Sequence, residues 1–288
     1  MKTTDLKASI DKFEKHLSVS NDTMTAIDLL AEHTDFSRQK IKQIMQKGAV
    51  WLTQDKSTRR IRRASKKLLS GQTLHLYYDA HILAQCDFEA RLIADESDYS
   101  VWFKPSGMLS QGSKFGDHGA IYRWAETHLQ PQRNAFLVHR LDRATSGLIL
   151  IAHSKKAAAI LSNMFSERTI DKYYKALVHG IPHAPQTINE PLETKRAITK
   201  ILSVDKSIGN NKSLLDIQIL TGRKHQIRQH LSNIGHPIVG DRLYGNGKND
   251  NINLCLTAYK ISFISPFDQL KKHYELDSEF YPGLNVKY

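Results

Sequence analysis

One carboxylate stands between two arginines in His139-Arg140-Leu141-Asp142-Arg143, and the chain then passes through Ala144-Thr145-Ser146-Gly147 into an apolar run, Leu148 to Ala152. Such a run fits a buried strand. Charged groups set against a buried strand have to be paired and hydrogen-bonded, because an isolated buried ion is too costly. A carboxylate held in that way is a candidate nucleophile or general base. The same residues also fit a structural ion pair at a loop corner, and spacing alone does not choose between the two. Other chemistries lack their residues. His225 and His230 are five apart with no glutamate between them, and His179 and His183 straddle Gly180-Ile181-Pro182, so no metal site is expected. Asp250-Asn251-Ile252-Asn253 lacks the glycine and terminal glutamate of a calcium loop, and Gly245 to Asn253 reads as a flexible turn. No glycine-rich phosphate loop occurs, which argues against nucleotide-driven chemistry and against a methyltransferase.

The elements that must position these groups are readable from pattern and charge. The 288 residues carry a formal net charge of +12, which favours a polyanionic partner, nucleic acid first. The charge is concentrated. Arg38 to Lys67 holds eleven basic residues, among them Arg38, Lys42, Arg59, Arg60, Arg62 and Arg63, against Asp55 alone, a net of +10. This region is built to meet phosphate. Ala26, Leu29 and Leu30 have helical spacing. Ser37 caps a second helix from Arg38 that carries Ile41, Ile44 and Met45 on one face. Gly48 ends it, Val50 and Leu52 open a strand, and Thr73 to Tyr77 alternates as another. In the first 20 residues Leu6, Ile10, Phe13 and Leu17 recur at helical spacing and predict an amphipathic helix or a loose arm. Residues 80 to 98 form an acidic transition, after which Tyr99 to Phe103 reads as a strand and Lys104-Pro105-Ser106-Gly107 as a turn.

Two resemblances add to these patterns. Residues 22 to 79 resemble the small αL RNA-binding domain of a ribosomal small-subunit protein, on the order of a Ser-Arg helix start, a Gly-x-Val and a late Gly before the last strand; the turn after Leu52 departs from the usual form. Residues 99 to 266 resemble the RluA-type pseudouridine synthases. His139-Arg140-Leu141-Asp142 with Thr145-Ser146-Gly147 matches every fixed position of that family's signature. Lys104-Pro105-Ser106-Gly107-Met108, Lys172-x-Tyr174-x-Ala176-x-Val178-x-Gly180, and Thr221-Gly222-Arg223-Lys224-His225-Gln226-Ile227-Arg228 followed by Gly240-Asp241 and Tyr244-Gly245 resemble its other blocks. Near the C-terminus Leu256-Thr257-Ala258 and Ser265-Pro266 depart from the histidines common there.

The second resemblance implies an α+β fold, a mixed, largely antiparallel sheet flanked by helices, preceded by a small α/β RNA-binding domain. Residues 1–85 are expected to form the arm and RNA-binding domain, and 86–288 the catalytic domain. It implies isomerisation of uridine to pseudouridine in structured RNA, ribosomal RNA of the large subunit first and transfer RNA second, by a monomer needing no cofactor. Asp142 would be the catalytic residue, as nucleophile or as the base that takes the 2′ proton. Tyr174 would stack on the target base, or also act as the base or relay that moves the C5 proton, Arg228 would pair with the aspartate, and Arg140 would enter the RNA where the flipped base has left. His139, Lys172, Arg223 and His225 would complete the substrate site. A catalytically silent RNA-binding factor would lack one of Asp142, Tyr174 and Arg228, and all three are present. No apolar run approaches the roughly 20 residues of a membrane span, no signal peptide is evident, and Cys86 and Cys255 form no disulfide framework. A soluble cytoplasmic protein is the expectation.

Overall fold

The computed structural model describes residues 11–84, 88–245 and 252–282. The chain divides into two compact units. One comprises Gln111–Arg123 and the described residues before Phe88; the other comprises Phe88–Ser110 and the chain from Trp124 onward.

The first unit contains β1 (Lys12–Ser18), α1 (Ala26–His33), α2 (Arg38–Gln46), β2 (Val50–Gln54), β3 (Ser57–Arg60), β4 (Thr73–Asp79) and α3 (Ala80–Leu83). Its sheet is antiparallel throughout, in the order β1-β4-β2-β3. Both main helices start where side chains cap them. Thr25 and Asp28 form a reciprocal capping box, and the Ser37 hydroxyl accepts from the Lys40 N–H. The apolar stripe of α2 buries Ile41, Ile44 and Met45 in one cluster with Leu30, Leu52, Leu74 and Leu76. Full burial of each such side chain contributes about 1.5–3 kcal/mol. Gly48, at φ +86°, turns the chain out of α2 into β2. The N-terminal segment differs from the expected helix or arm. Phe13 and Leu17 lie on strand β1, and Leu6 and Ile10 lie outside the described residues. A spacing of four is a multiple of two as well as about one helical turn, so two apolar residues four apart fit either period.

The second unit contains β5 (Arg91–Asp95), β6 (Tyr99–Lys104), β7 (Phe136–Leu137), β8 (Ser146–Ala152), α5 (Lys155–Glu167), β9 (Asp171–His179), β10 (Gln186–Ile188), β11 (Thr199–Asp205), β12 (Lys212–Ile219), α6 (Gln226–Asn233), β13 (Leu256–Ile264) and β14 (Lys271–Glu275); α4 (Ile121–His128) carries the boundary between the units. These strands form a ten-stranded sheet in the order β10-β11-β12-β9-β13-β8-β6-β5, with β14 on β13 and β7 on β8. The pairs are antiparallel except β8 with β13, so the sheet is mixed and largely antiparallel. The run Leu148 to Ala152 is the buried part of β8; Leu148, Leu150 and Ala152 pack on Ala157 and Leu161 of α5.

One transverse row crosses the middle of this sheet. Lys104, Gly147, Ala258, Tyr174 and Ile217 are successive register partners across β6, β8, β13, β9 and β12. Within it Gly147, at φ +122°, lies so close to β13 that a Cβ would stand 2.3 Å from the Ala258 carbonyl oxygen. No other residue fits there without displacing backbone. Among the described residues no helix is long and apolar enough to cross a membrane. Most of Gly245–Asn253, expected to be a flexible turn, lies outside the described residues, as does Cys86.

Candidate active site and basic surface

The segment bearing Asp142 precedes β8 and is fastened from below by the turn after β6. The Ser110 hydroxyl donates to the Leu141 carbonyl at 2.7 Å and accepts from the Leu141 N–H at 3.0 Å. Ser106 Oγ donates to the Ala144 carbonyl at 2.8 Å, and the Gly107 N–H to the Arg143 carbonyl at 2.8 Å. Lys104, fully buried, directs its ammonium at the carbonyls of Met108 (2.9 Å) and Pro105 (3.1 Å). Burial pulls the Lys104 amine down to about 7, while the charge of Asp142 pushes it up. The Lys-Pro-Ser-Gly turn is thus a clamp on the Asp142 loop. In the sequence Lys104 stands out only as the first residue of that turn.

The structure brings His225 and Arg228 to Asp142, whose charge also reaches Tyr174. Asp142 is the most open of them, its side chain 30% exposed; its Oδ2 lies 3.9 Å from an Arg228 terminal nitrogen and 3.8 Å from His225 Nε2. Tyr174, on β9, is buried; burial first and the Asp142 charge second push its hydroxyl well above the usual phenol range. Arg228 lies one turn into α6, whose start is pinned by Gln226. That amide accepts from Thr221 Oγ1 (2.7 Å) and the Arg223 N–H (3.0 Å), and donates to the Ile198 carbonyl (3.0 Å).

Arg228 differs from the expectation of a simple partner for Asp142. Its fork is spent on Asp241, Nε to Oδ2 at 2.8 Å and a terminal nitrogen to Oδ1 at 2.6 Å, both groups buried. A planar guanidinium matches a carboxylate bidentately in this geometry. Only the remaining nitrogen faces Asp142. Burial pushes the Asp241 carboxyl up, but the Arg228 hydrogen bonds and the Leu243 and Tyr244 N–H groups hold it below the usual range. The sequence motif that contains Asp241 assigns it no role. Its signal is nonetheless there, since a buried arginine on a helix demands a carboxylate somewhere.

The other expected site residues separate. Arg140 is exposed and makes no hydrogen bond or ion pair among the described residues. Arg223 Nε donates to the Arg196 carbonyl at 3.0 Å. His139 and Lys172 gather at Phe165. The His139 ring stacks on it with centroids 4.1 Å apart, and the Lys172 ammonium lies 5.8 Å from its centre. His139 Nε2 accepts from the Leu150 N–H at 2.9 Å. Burial, then the Lys172 charge, pull His139 down to about 3. The imidazole is therefore neutral and serves as an acceptor for β8, which makes it a support of the strand. His139 is expected to show no titration between pH 5 and 8 by NMR; a midpoint in that interval would contradict the buried acceptor role.

In the first unit the eleven basic residues are not equally open. Arg60 and Arg62 both pair with Asp117, which is 1% exposed; Arg62 lies 2.6 Å from it, and Arg60 also covers Trp51 at 4.4 Å. Arg38 pairs with Asp28 at 2.7 Å on the surface. Arg59, Arg63 and Lys42 are exposed. Replacing Arg59 and Arg63 by Gln is expected to lower the salt slope of RNA binding by about 0.7–0.9 for each phosphate no longer neutralised, with unchanged melting. Replacing Arg60 and Arg62 instead strands Asp117 and is expected to cost about 3–5 kcal/mol of stability. Salt-dependent binding and thermal melts separate the two; equal effects of the two pairs on melting would refute it.

A family model described as RNA pseudouridylate synthase matches residues 98–233. The chain is 28% identical to an uncharacterized RNA pseudouridine synthase of Mycoplasma genitalium, over 95% of this chain and 94% of that one. It is 30% identical to the tRNA pseudouridine synthase C of Vibrio cholerae over 58% of this chain and 82% of that one. Among solved structures, the human RNA pseudouridylate synthase domain containing 1 is similar in fold, with a TM-score of 0.57 and 24% identity over 70% of this chain and 89% of that one.

Proposed function

Because the chain belongs to the RNA pseudouridylate synthase family and is an RNA-isomerising enzyme, we propose that it converts specific uridines of large-subunit ribosomal RNA to pseudouridine, with Asp142 as the catalytic carboxylate. The observation that carries the assignment is the setting of Asp142. It is the most solvent-open member of the cluster, flanked by the free nitrogen of Arg228 and by His225, and its charge reaches the hydroxyl of buried Tyr174.

The reaction breaks the bond from the sugar carbon to N1 of uracil, turns the base, and joins the same carbon to C5. The C5 proton is lost and N1 gains one. Nothing is oxidised and nothing leaves, so the chemistry calls for a carboxylate, a place to turn the base, and a proton relay. Asp142 either adds to the sugar carbon or takes its 2′ proton. The uridine has to leave its stack first, at a cost of a few kcal/mol. Arg140, exposed and without an ion-pair partner among the described residues, is suited to fill the gap in the RNA, and Tyr174 to stack on the extruded base. The raised proton affinity of Tyr174 favours stacking over the role of base.

The choice of ribosomal RNA rests on the basic N-terminal unit joined to this catalytic domain. Transfer RNA is the second reading, favoured by the name of the Vibrio cholerae relative. The proposal includes a cytoplasmic monomer. Pseudouridine mapping by carbodiimide-based primer extension, on ribosomal and transfer RNA from cells with and without the protein, tests the target. A ribosomal site lost in its absence supports the first reading; loss confined to transfer RNA replaces it with the second.

A further inference from the structure

We propose that His225, with its tautomer set by Tyr244, is the positioning residue that aims the Asp142 carboxylate. This rests on Asp142 being the catalytic group. His225 occupies the N-cap of α6 in the left-handed conformation, φ +54°, and makes no side-chain cap to the helix. Residues with a Cβ rarely adopt that backbone, and caps are usually Ser, Thr, Asp or Asn. What the conformation accomplishes is aim. It places Nδ1 3.0 Å from the Tyr244 hydroxyl and Nε2 3.8 Å from Asp142 Oδ2.

Tyr244 is itself fixed. Ser232 Oγ donates to its carbonyl at 2.6 Å, its N–H donates to Asp241 Oδ1 at 3.1 Å, and the Arg228 guanidinium lies 5.1 Å from its ring centre. Its hydroxyl can give a hydrogen to Nδ1 or take one from it. In the second case Nε2 would turn a lone pair toward a carboxylate, acceptor facing acceptor. In the first, Nε2 carries the hydrogen and points it at Asp142. Electrostatics selects the first. At 3.8 Å the pair is not yet hydrogen-bonded, and a small rotation of the Asp142 side chain closes it. Tyr244, His225 and Asp142 thus form a line in which the phenol orients the imidazole and the imidazole orients the carboxylate.

The charges facing His225 are Asp142 and Asp241 on one side and Arg228 and Lys224 on the other. Burial first, then Arg228 and Lys224, lower its proton affinity against the opposing pull of Asp142 and Asp241, and the net shift is below the ordinary 6.5. The ring is therefore neutral at neutral pH. On acidification it becomes a cation that grips the carboxylate, and the rate falls.

The test compares H225Q with H225N in single-turnover assays. A Gln amide reaches the position of Nε2; an Asn amide reaches only that of Nδ1. Gln should retain at least tenfold more of the rate than Asn, which should lose about 100-fold, the scale of a misplaced reacting group. RNA affinity should change far less than the rate in both. The fall in rate on the acid side of 6.5 should vanish with Gln. If His225 only supports Tyr244, the ranking reverses, because Asn keeps the Nδ1 contact and takes left-handed backbone more readily than Gln. Asn equal to or better than Gln therefore overturns the inference. Y244F provides a second reading: a lower kcat at unchanged KM supports the line, and a wild-type rate breaks it. An active D142N would remove the assignment beneath the inference; an inactive D142N with a fully active H225N would remove the inference alone.

Discussion

Asp142→Asn should reduce isomerisation by roughly 10⁴-fold, the scale seen when an essential catalytic group is removed, and leave RNA affinity and melting unchanged. The amide has the size and shape of the carboxylate, and the Ser110, Ser106 and Lys104 contacts that hold the loop go to the carbonyls of Leu141, Ala144 and Arg143, so the loop keeps its place. What disappears is the charge. An amide oxygen neither adds to the sugar carbon nor takes the 2′ proton at a useful rate. A second consequence is measurable without substrate. The Asp142 charge is one of the causes that raise the proton affinity of Tyr174, so the phenol should titrate at lower pH in the variant. Primer-extension mapping, filter binding and ultraviolet titration read the three effects. A variant with wild-type activity sinks the assignment of Asp142. An inactive variant that also loses RNA affinity shifts Asp142 to a binding role.

Arg228→Ala is expected to cost about 3–5 kcal/mol, because it leaves Asp241 as a buried carboxylate without its partner. Asp241→Asn should cost less, since an amide still accepts from the Leu243 and Tyr244 N–H groups at 2.9 and 3.1 Å. The double variant Arg228→Gln with Asp241→Asn should recover most of the stability while activity stays low, because no arginine then faces Asp142 or supports Tyr244. The pair also predicts a pH effect. Asp241 has a folded pKa below its ordinary value of 3.8, so its contribution is fully present above that value and is lost as pH falls through the lower folded pKa. Thermal melts from pH 6 to pH 2 should therefore fall less steeply in the double variant than in the wild type. Identical pH dependence would show that the fork does not carry the acid sensitivity.

Elements whose local pattern and tertiary role agree are readable from the chain. The Ser37 cap, the face of Ile41, Ile44 and Met45, and the buried run of β8 are of that kind. Strand β1 is not, because Phe13 and Leu17 satisfy two periods at once. The membership of Gln111–Arg123 in the first unit is not readable either: it depends on Asp117, one carboxylate with no local pattern, meeting Arg60 and Arg62 more than fifty residues earlier. For the same reason a count of basic residues overstates the surface open to phosphate. In the candidate site, Asp142 is legible as a carboxylate that needs partners. Who the partners are is only half legible. A motif places Arg228 near Asp142, but it does not tell that two of the arginine's nitrogens are committed to Asp241. The roles of His225 and Tyr244 lie in a backbone angle and a ring orientation, which residue spacing does not encode.

The row from Lys104 through Gly147 and Ala258 to Tyr174 works as a gauge bar across the candidate site. Its two ends are three strand spacings apart, about 14 Å, and both ends feel the charge of Asp142. The spacing between Lys104 and Tyr174 is thus set by main chain lying on main chain, at a point where not even a methyl group fits. Side chains flanking the row are free to change. The spacing itself is not, because altering it would mean parting two strands.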